Sequence, residues 1–500
     1  MTFKDRRSKV DVLRVMRQLA PLLVFASLAL AGCGGTTSST GTGGAEIVPA
    51  DATMFVAINT DTDSEQWQAV NELANRFSDK HDLEQTVKEG LKDEGLDWEN
   101  DVKAALGPEF DFVWLDLDQQ GQSFVILTQP KDKAKFDRLI KKAQETSTEL
   151  FRGQVDNWEV LAPSQAAVDQ FVRESESSDK KLADEDGFSA AMSNYPDDAL
   201  LRFYLDGPPV MDLARDELSA DDRAYVDKLG RLDWIASGLN VTSAGVRFDL
   251  NVHGKAGPAL KDVVPTKPFA TALTHEVPSD ALAYFAFHGA KGMLTGLEDN
   301  PLFKENVPEL HRYARVLENV ESLLQGENAF YVRPAGAGKI PEVTFVAEPA
   351  PGTDGAATLD RLIKRYRSDL ELPSQPKRSR VAGLPAHTID LGDNKIHYAN
   401  VGNRLVITNL GAGVQALKGD PPSLADSKDF RQAVDSAGMP AKTQGFVYVN
   451  VKGGIDYAQR LANSNIPSGI KKNLRPLRSV VEYAATQPSE IQVTFFLHIR

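Results

Sequence analysis

A chain of 500 residues with a formal net charge of −14 is long enough to bury a sizeable core, yet it lacks the excess of cations that nucleic acid or an anionic lipid surface demands. Its single cysteine, Cys33, excludes a disulfide-built scaffold, so stability has to come from burial of apolar side chains.

The first element is an export signal. Lys4, Arg6, Arg7, Lys9, Arg14 and Arg17 precede an apolar stretch over residues 19–30, and the stretch closes on Leu30-Ala31-Gly32-Cys33. Charge, apolar run and small residues in that order make a signal peptide, and the run is too short to span a bilayer. The closing tetrapeptide resembles the lipobox of bacterial lipoproteins. That resemblance implies a diacylglyceryl group on Cys33 and cleavage just before it, and each buried methylene adds about 0.8 kcal/mol of membrane affinity. Residues 1–32 hold six basic and two acidic side chains, so their removal takes the net charge from −14 to −18. The expected address is extracytoplasmic, with the membrane as partner through lipidated Cys33 and no nucleic acid.

Residues 33–45 follow as a tether of Gly, Ser and Thr with Ala45 last. Such a composition buries too little to fold, and a Gaussian chain of a dozen residues reaches roughly 20 Å. Beyond it no segment approaches 18 consecutive apolar residues.

The body reads as α+β. Apolar or alternating runs predict strands at 54–58, 110–117, 124–127, 200–205 and 246–252, and helical spacing predicts helices at 67–77, 132–143 and 225–232. The turn Gln119-Gln120-Gly121 between two strands favours antiparallel pairing. Helices covering such a sheet give α+β rather than a doubly wound fold.

The chain also repeats itself. Pro49-Ala50-Asp51-Ala52 returns as Pro278-Ser279-Asp280-Ala281, and Asp137-Arg138-Leu139-Ile140-Lys141 returns unchanged as Asp360-Arg361-Leu362-Ile363-Lys364. Val155-Asp156-Asn157 matches Val401-Gly402-Asn403, and Leu182-Ala183-Asp184 with Phe188 matches Leu424-Ala425-Asp426 with Phe430. Matches in one order predict two tandem, internally duplicated halves, at 46–256 and 275–500 with a Gly/Pro linker at 257–274. The offset grows between Lys364 and Val401, which places an insertion of about 23 residues in the second half. Val48-Pro49-Ala50-Asp51-Ala52, then a strand, Asn59-Thr60-Asp61 and a helix ending Ala74-Asn75-Arg76-Phe77 resemble a bacterial domain-of-unknown-function family, number 3352. The resemblance spans nearly all of the mature chain and implies an exported or membrane-attached protein, with no catalytic residues to carry over.

Chemical motifs are sparse. Asp61, Asp63, Glu65 and Glu72 have the spacing of a calcium loop, but Gln66 stands where its glycine belongs, and acids gathered at a helix start are the favoured reading. Gly411-Ala412-Gly413 follows a strand and opens a helix like a dinucleotide fingerprint, whereas the matching Pro163-Ser164-Gln165 has no glycine. His387 and His397 lie in the insertion, where a hairpin would bring them together. Trp67, Trp98, Trp114, Trp158 and Trp234 all fall in the first half, as core filling or as a ligand surface. No cofactor and no metal is expected. The reading is a lipid-anchored, non-catalytic binding or structural protein of the cell envelope; the alternatives are an exported hydrolase with a dispersed site, or a carrier or chaperone of an apolar cargo.

Overall fold

The computed structural model describes residues 43–93, 95–117, 123–145, 150–217, 220–258, 267–289, 320–336, 340–419, 421–462, 467–487 and 489–500. Cys33, the turn at Gln119–Gln120–Gly121 and much of the expected linker lie outside them. The chain forms two compact units, Met1–Leu218 with Leu232–Gly254 and Ser219–Arg231 with Lys255–Arg500. The fold is mixed α+β, and the strand pairings within each unit are antiparallel.

In the first unit β1 (Met54–Asn59) is central, with buried and half-buried residues alternating along it. It pairs with β2 (Glu109–Trp114), which pairs with β3 (Phe124–Thr128). Beyond β3 lie β5 (Trp158–Ala162) and then β4 (Phe151–Val155). On its other side β1 pairs with β6 (Leu201–Asp206), and β6 pairs with β7 (Gly230–Thr242). A long strand, β8 (Gly245–Ala256), follows. The order is therefore β4-β5-β3-β2-β1-β6-β7.

Two helices begin where a serine side chain takes an orphan N–H. Ser64 caps α1 (Glu65–Ala74) by accepting from the Trp67 amide, and Ser164 caps α4 (Gln165–Ser177) by accepting from Ala167. Between them come α2 (Lys80–Asp93) and α3 (Lys133–Glu145), the latter burying Phe136, Leu139 and Ile140. After α4, the short α5 (Asp186–Met192) sets Phe188 edge-on to Phe55 at 5.5 Å and to Tyr204 at 5.2 Å. These rings join Val113, Val125, Trp158, Val160, Phe171 and Trp234 in one core.

The second unit has its own central strand, β9 (Ala283–His288), between β10 (Glu327–Arg333) and β16 (Gly445–Val449). β10 leads to β11 (Glu342–Ala347), then β15 (Arg404–Thr408), then β14 (Lys395–Val401). Two further strands, β13 (Leu384–Asp390) and β12 (Lys377–Val381), extend that edge. On the other side β16 leads to β17 (Leu477–Gln487) and β18 (Glu490–Ile499). The order β14-β15-β11-β10-β9-β16-β17 is that of the first unit, and among the described residues β12 and β13 have no counterpart beside β4.

The second unit includes helices α6 (Gly355–Arg365), α7 (Gly411–Gly419) and α8 (Lys428–Ser436). Phe430 on α8 stands edge-on to Tyr448 at 5.1 Å, as Phe188 stands to Tyr204. Leu182 donates its N–H to Val48 O at 2.8 Å, and Leu424 donates to Val277 O at 2.7 Å.

Three expected boundaries move. Gly43–Glu46 is a 3-10 turn with Gly44 and Ala45 buried, so the expected tether of residues 33–45 overlaps the folded body by three residues. The helix expected to run to Leu232 ends at Leu229, because Gly230 takes a φ of 110° and opens β7. Within the expected linker, Phe269 exchanges backbone hydrogen bonds with Thr443, and Leu273–His275 forms a turn of the second unit.

Candidate functional site: a buried acidic pair under the first turn

Alternation along β2 turns Glu109, Asp111 and Val113 toward the core face. Glu109 is 3% exposed and Asp111 0%, although neither is an apolar residue. Their neighbourhood explains how they stay there. Asp111 lies opposite Ala57 on β1, and Ala57 lies opposite Arg202 on β6. The small Ala57 side chain leaves room for the Arg202 guanidinium to act on both carboxyls. Arg202 itself is buried and reaches Asp197 at 3.9 Å.

The N-terminal turn closes the site from above. The Gly44 N–H donates to Glu109 Oε1 at 3.2 Å. A Cβ on Gly44 would fall 1.8 Å from Asp111 Oδ2, so only glycine fits over the carboxyl. Burial pushes the Glu109 carboxyl up to about 7, against the Gly44 N–H and the Arg202 charge. Burial first, and then the Glu109 charge, hold Asp111 well above the usual carboxylate range. Neither Asp111 oxygen meets a donor of ordinary geometry. A proton shared between the two carboxyls would supply one. The arrangement is a pair of carboxyls whose burial favours their protonated forms, beside the Arg202 guanidinium. It is sealed from solvent, so its chemistry is to grip Gly43–Glu46 rather than to receive a substrate.

The second unit grips its own first turn in the same manner. Glu327 opens β10 as Glu109 opens β2, and it accepts from the Ala272 and Leu273 amides at 2.9 and 3.1 Å and from the Thr271 hydroxyl.

The residues singled out from sequence fall elsewhere. Asp61 is buried and reaches Lys131 at 3.4 Å, and Asp63 reaches Lys103 at 3.4 Å. Glu65 is the first helical residue of α1, and Glu72 pairs with Arg76 at 2.7 Å. Each of Asp61, Asp63 and Glu72 is thus matched to a cation of its own, and among the described residues no three His, Cys, Asp or Glu side chains gather as a metal site. Ser64, not one of these acids, caps the helix.

Trp67, Trp98, Trp158 and Trp234 are buried, and Trp114 packs on Phe124 at 4.4 Å. Gly413 lets α7 approach the sheet, since a Cβ there would lie 2.5 Å from the hydroxyls of Thr344 and Thr408. The glycine run therefore serves packing between a helix and antiparallel strands, not the parallel unit a dinucleotide requires.

His387 and His397 stand one pair apart on β13 and β14, so their side chains take opposite faces and do not meet. His387 Nδ1 lies 3.0 Å from Asp360 Oδ1 and its ring stacks on Tyr398, whereas His397 Nδ1 meets the Thr388 hydroxyl at 2.9 Å. Asp360 also accepts from Tyr398 at 3.0 Å and pairs with Lys364 at 2.7 Å.

Sequence reasoning missed Glu109, Asp111 and Arg202. The available signal was the alternation Glu109-Phe110-Asp111-Phe112, which reads as acids facing water.

Comparison with known proteins adds a family. The family described as "Protein of unknown function (DUF3352)" matches residues 19–155 and 140–498. No curated protein matches. Crystal form I of TP0453 is 9% identical over 44% of this chain and 80% of its own, with a TM-score of 0.22. Crystal form III of TP0453 is 8% identical over 47% and 90%, with a TM-score of 0.24. So slight a likeness carries no argument.

Proposed function

The chain belongs to the DUF3352 family, and from that premise we propose a lipid-anchored extracytoplasmic protein that binds or scaffolds within the bacterial cell envelope without catalysis. The observation that carries this reading is the junction between anchor and body. Nine residues separate Cys33 at the end of the lipobox-like tetrapeptide from Gly43, the first residue of a turn gripped by Glu109. An acyl group on Cys33 would hold such a body directly against a membrane.

The body itself is, in this reading, a duplicated α+β unit. Support comes from the common strand order, the Phe188–Tyr204 and Phe430–Tyr448 contacts, and the paired Leu182–Val48 and Leu424–Val277 bonds.

Metabolic labelling with an alkyne fatty acid tests the anchor. The full-length chain should take up label and sediment with envelopes, and Cys33→Ala should do neither. Equal labelling of the two, or wild-type protein that stays unlabelled and soluble, would overturn the anchor.

A further inference from the structure

The two units differ at one edge. In the second, β14 carries β13 along its outer side, with Ala386 opposite Ala399, His387 opposite Tyr398 and Thr388 opposite His397. The outermost strand there, β12, presents Lys377, Arg378 and Arg380 to solvent, which blunts the edge against further pairing.

In the first unit the corresponding strand is β4, and among the described residues it pairs with β5 alone. Its sequence, Phe151-Arg152-Gly153-Gln154-Val155, contains neither proline nor lysine. Arg152, its one cation, is engaged with Glu159 at 2.6 Å and with Asp137, and Phe151 is exposed. Asp156-Asn157 is a two-residue turn, with Asp156 at a φ of 50°, which makes Val155 and Trp158 a hydrogen-bonded pair. Strict alternation from that pair turns the backbone N–H and C=O groups of Arg152 and Gln154 away from β5.

Beside this edge runs an open groove of about 560 Å³ between β4 and α4, whose lining includes Gly153, Gln154, Val168, Val172, Asp169 and Arg173. Gly153 brings the strand close to α4, since a Cβ there would lie 2.4 Å from Val168 Cγ1.

We propose that the β4 edge is a strand-addition site, taking an extended segment of a partner polypeptide antiparallel to β4 as β13 lies on β14. The partner segment has a small residue opposite Gly153, directed toward Val168 and Val172, because Ala386 occupies the equivalent place beside Ala399 and Val414. Backbone hydrogen bonds to Arg152 and Gln154 supply affinity, and the small residue supplies register. A second copy of β4 is the poorer occupant: antiparallel self-pairing centred on Gly153 sets glycine against glycine and leaves the groove without a side chain. The inference goes beyond the lipid anchor and does not depend on it.

The test uses the full chain on a Cys33→Ala background, so that Phe151→Cys provides its only thiol. The probe is a synthetic peptide of residues 383–391, whose Thr388 should lie opposite position 151. Under mild oxidation the peptide carrying Thr388→Cys should cross-link at least tenfold more than the one carrying His387→Cys. N-methylation of His387 in the peptide removes the N–H that should meet Arg152, and should abolish cross-linking with no change to the protein. Gln154→Pro should do the same while the melting temperature holds. Equal yields from the two cysteine positions, or indifference to N-methylation, would overturn the proposal. So would a Phe151→Cys dimer that the peptide cannot displace, which would assign the edge to a second copy.

Discussion

Asp111 and Arg202 flank Ala57 in one row of the first unit's sheet, an acid and a base held on either side of a methyl group. The same row in the second unit is Ala329, Ala286 and Phe446. One architecture thus accepts a buried acid with a guanidinium or an aromatic ring at the same place. A ring needs no partner there, while the Arg202 guanidinium without the acids would be an unpaired buried ion costing several kcal/mol.

The acid pair makes stability depend on pH in an unusual direction. Glu109 holds its proton up to about 7 in the fold, against 4.5 as an ordinary carboxyl. Between those values the folded state binds more protons than the unfolded one, so this site's contribution falls as pH rises. We expect Glu109→Gln to flatten the decline, with a difference from wild type on the order of 2–3 kcal/mol between pH 4.5 and pH 7.5. Thermal melts followed by circular dichroism across that range check it; parallel curves would remove the shared proton from the account.

Asp360 has the opposite sign. Burial works to raise its carboxyl, but hydrogen bonds from Lys364 and Tyr398 outweigh it and hold the group below its ordinary 3.8. Its contribution is present above that value and is lost as pH falls through the lowered one. Asp360→Asn should therefore destabilise at neutral pH by on the order of 1–3 kcal/mol. The gap to wild type should close in acid, which urea titrations at pH 7 and pH 3 would reveal.

Two glycines should respond oppositely to one added methyl. Gly44→Ala collides with Asp111 and should cost about 1–3 kcal/mol. Gly90→Ala, in α2 with nothing within 4 Å, should stabilise by about 0.5–1 kcal/mol. Paired urea melts decide this, and a neutral Gly44→Ala would mean that the first turn is not seated on the carboxyl.

Phe188→Ala and Phe430→Ala remove matching rings from the two cores and should each cost about 3–5 kcal/mol. Limited proteolysis mapped by mass spectrometry should show new cleavage in the unit that bears each change. Cleavage spread evenly over the chain would contradict separate cores.

Elements with a strong local signal were legible in the sequence: the alternating run of β1, the helix behind Ser64 and the apolar face of α3 all appear close to where their spacing puts them. The latch was not. Glycine-rich composition made Gly43 and Gly44 look like tether, and only the carboxyls beneath them, 65 residues or more away in sequence, explain why they are packed. Glu109 and Asp111 were hidden by an ordinary rule, since alternating acids on a strand normally face water. Here Ala57 and Arg202 on two other strands make the inward face tenable, and no local pattern encodes that. His387 and His397 failed for want of register, because one step along a strand changes the face on which a side chain lies.

The Gly44–Glu109 contact also fixes how load enters the first unit. A pull on the chain's N-terminal end passes through one turn to the start of β2, a strand with neighbours on both sides. Force directed along such a strand shears many hydrogen bonds at once, whereas a strand peeled from a sheet edge loses them one by one. The turn, which Glu109 grips through the Gly44 N–H, should therefore yield before the sheet does, and it would act as a mechanical fuse at the entry to the first unit.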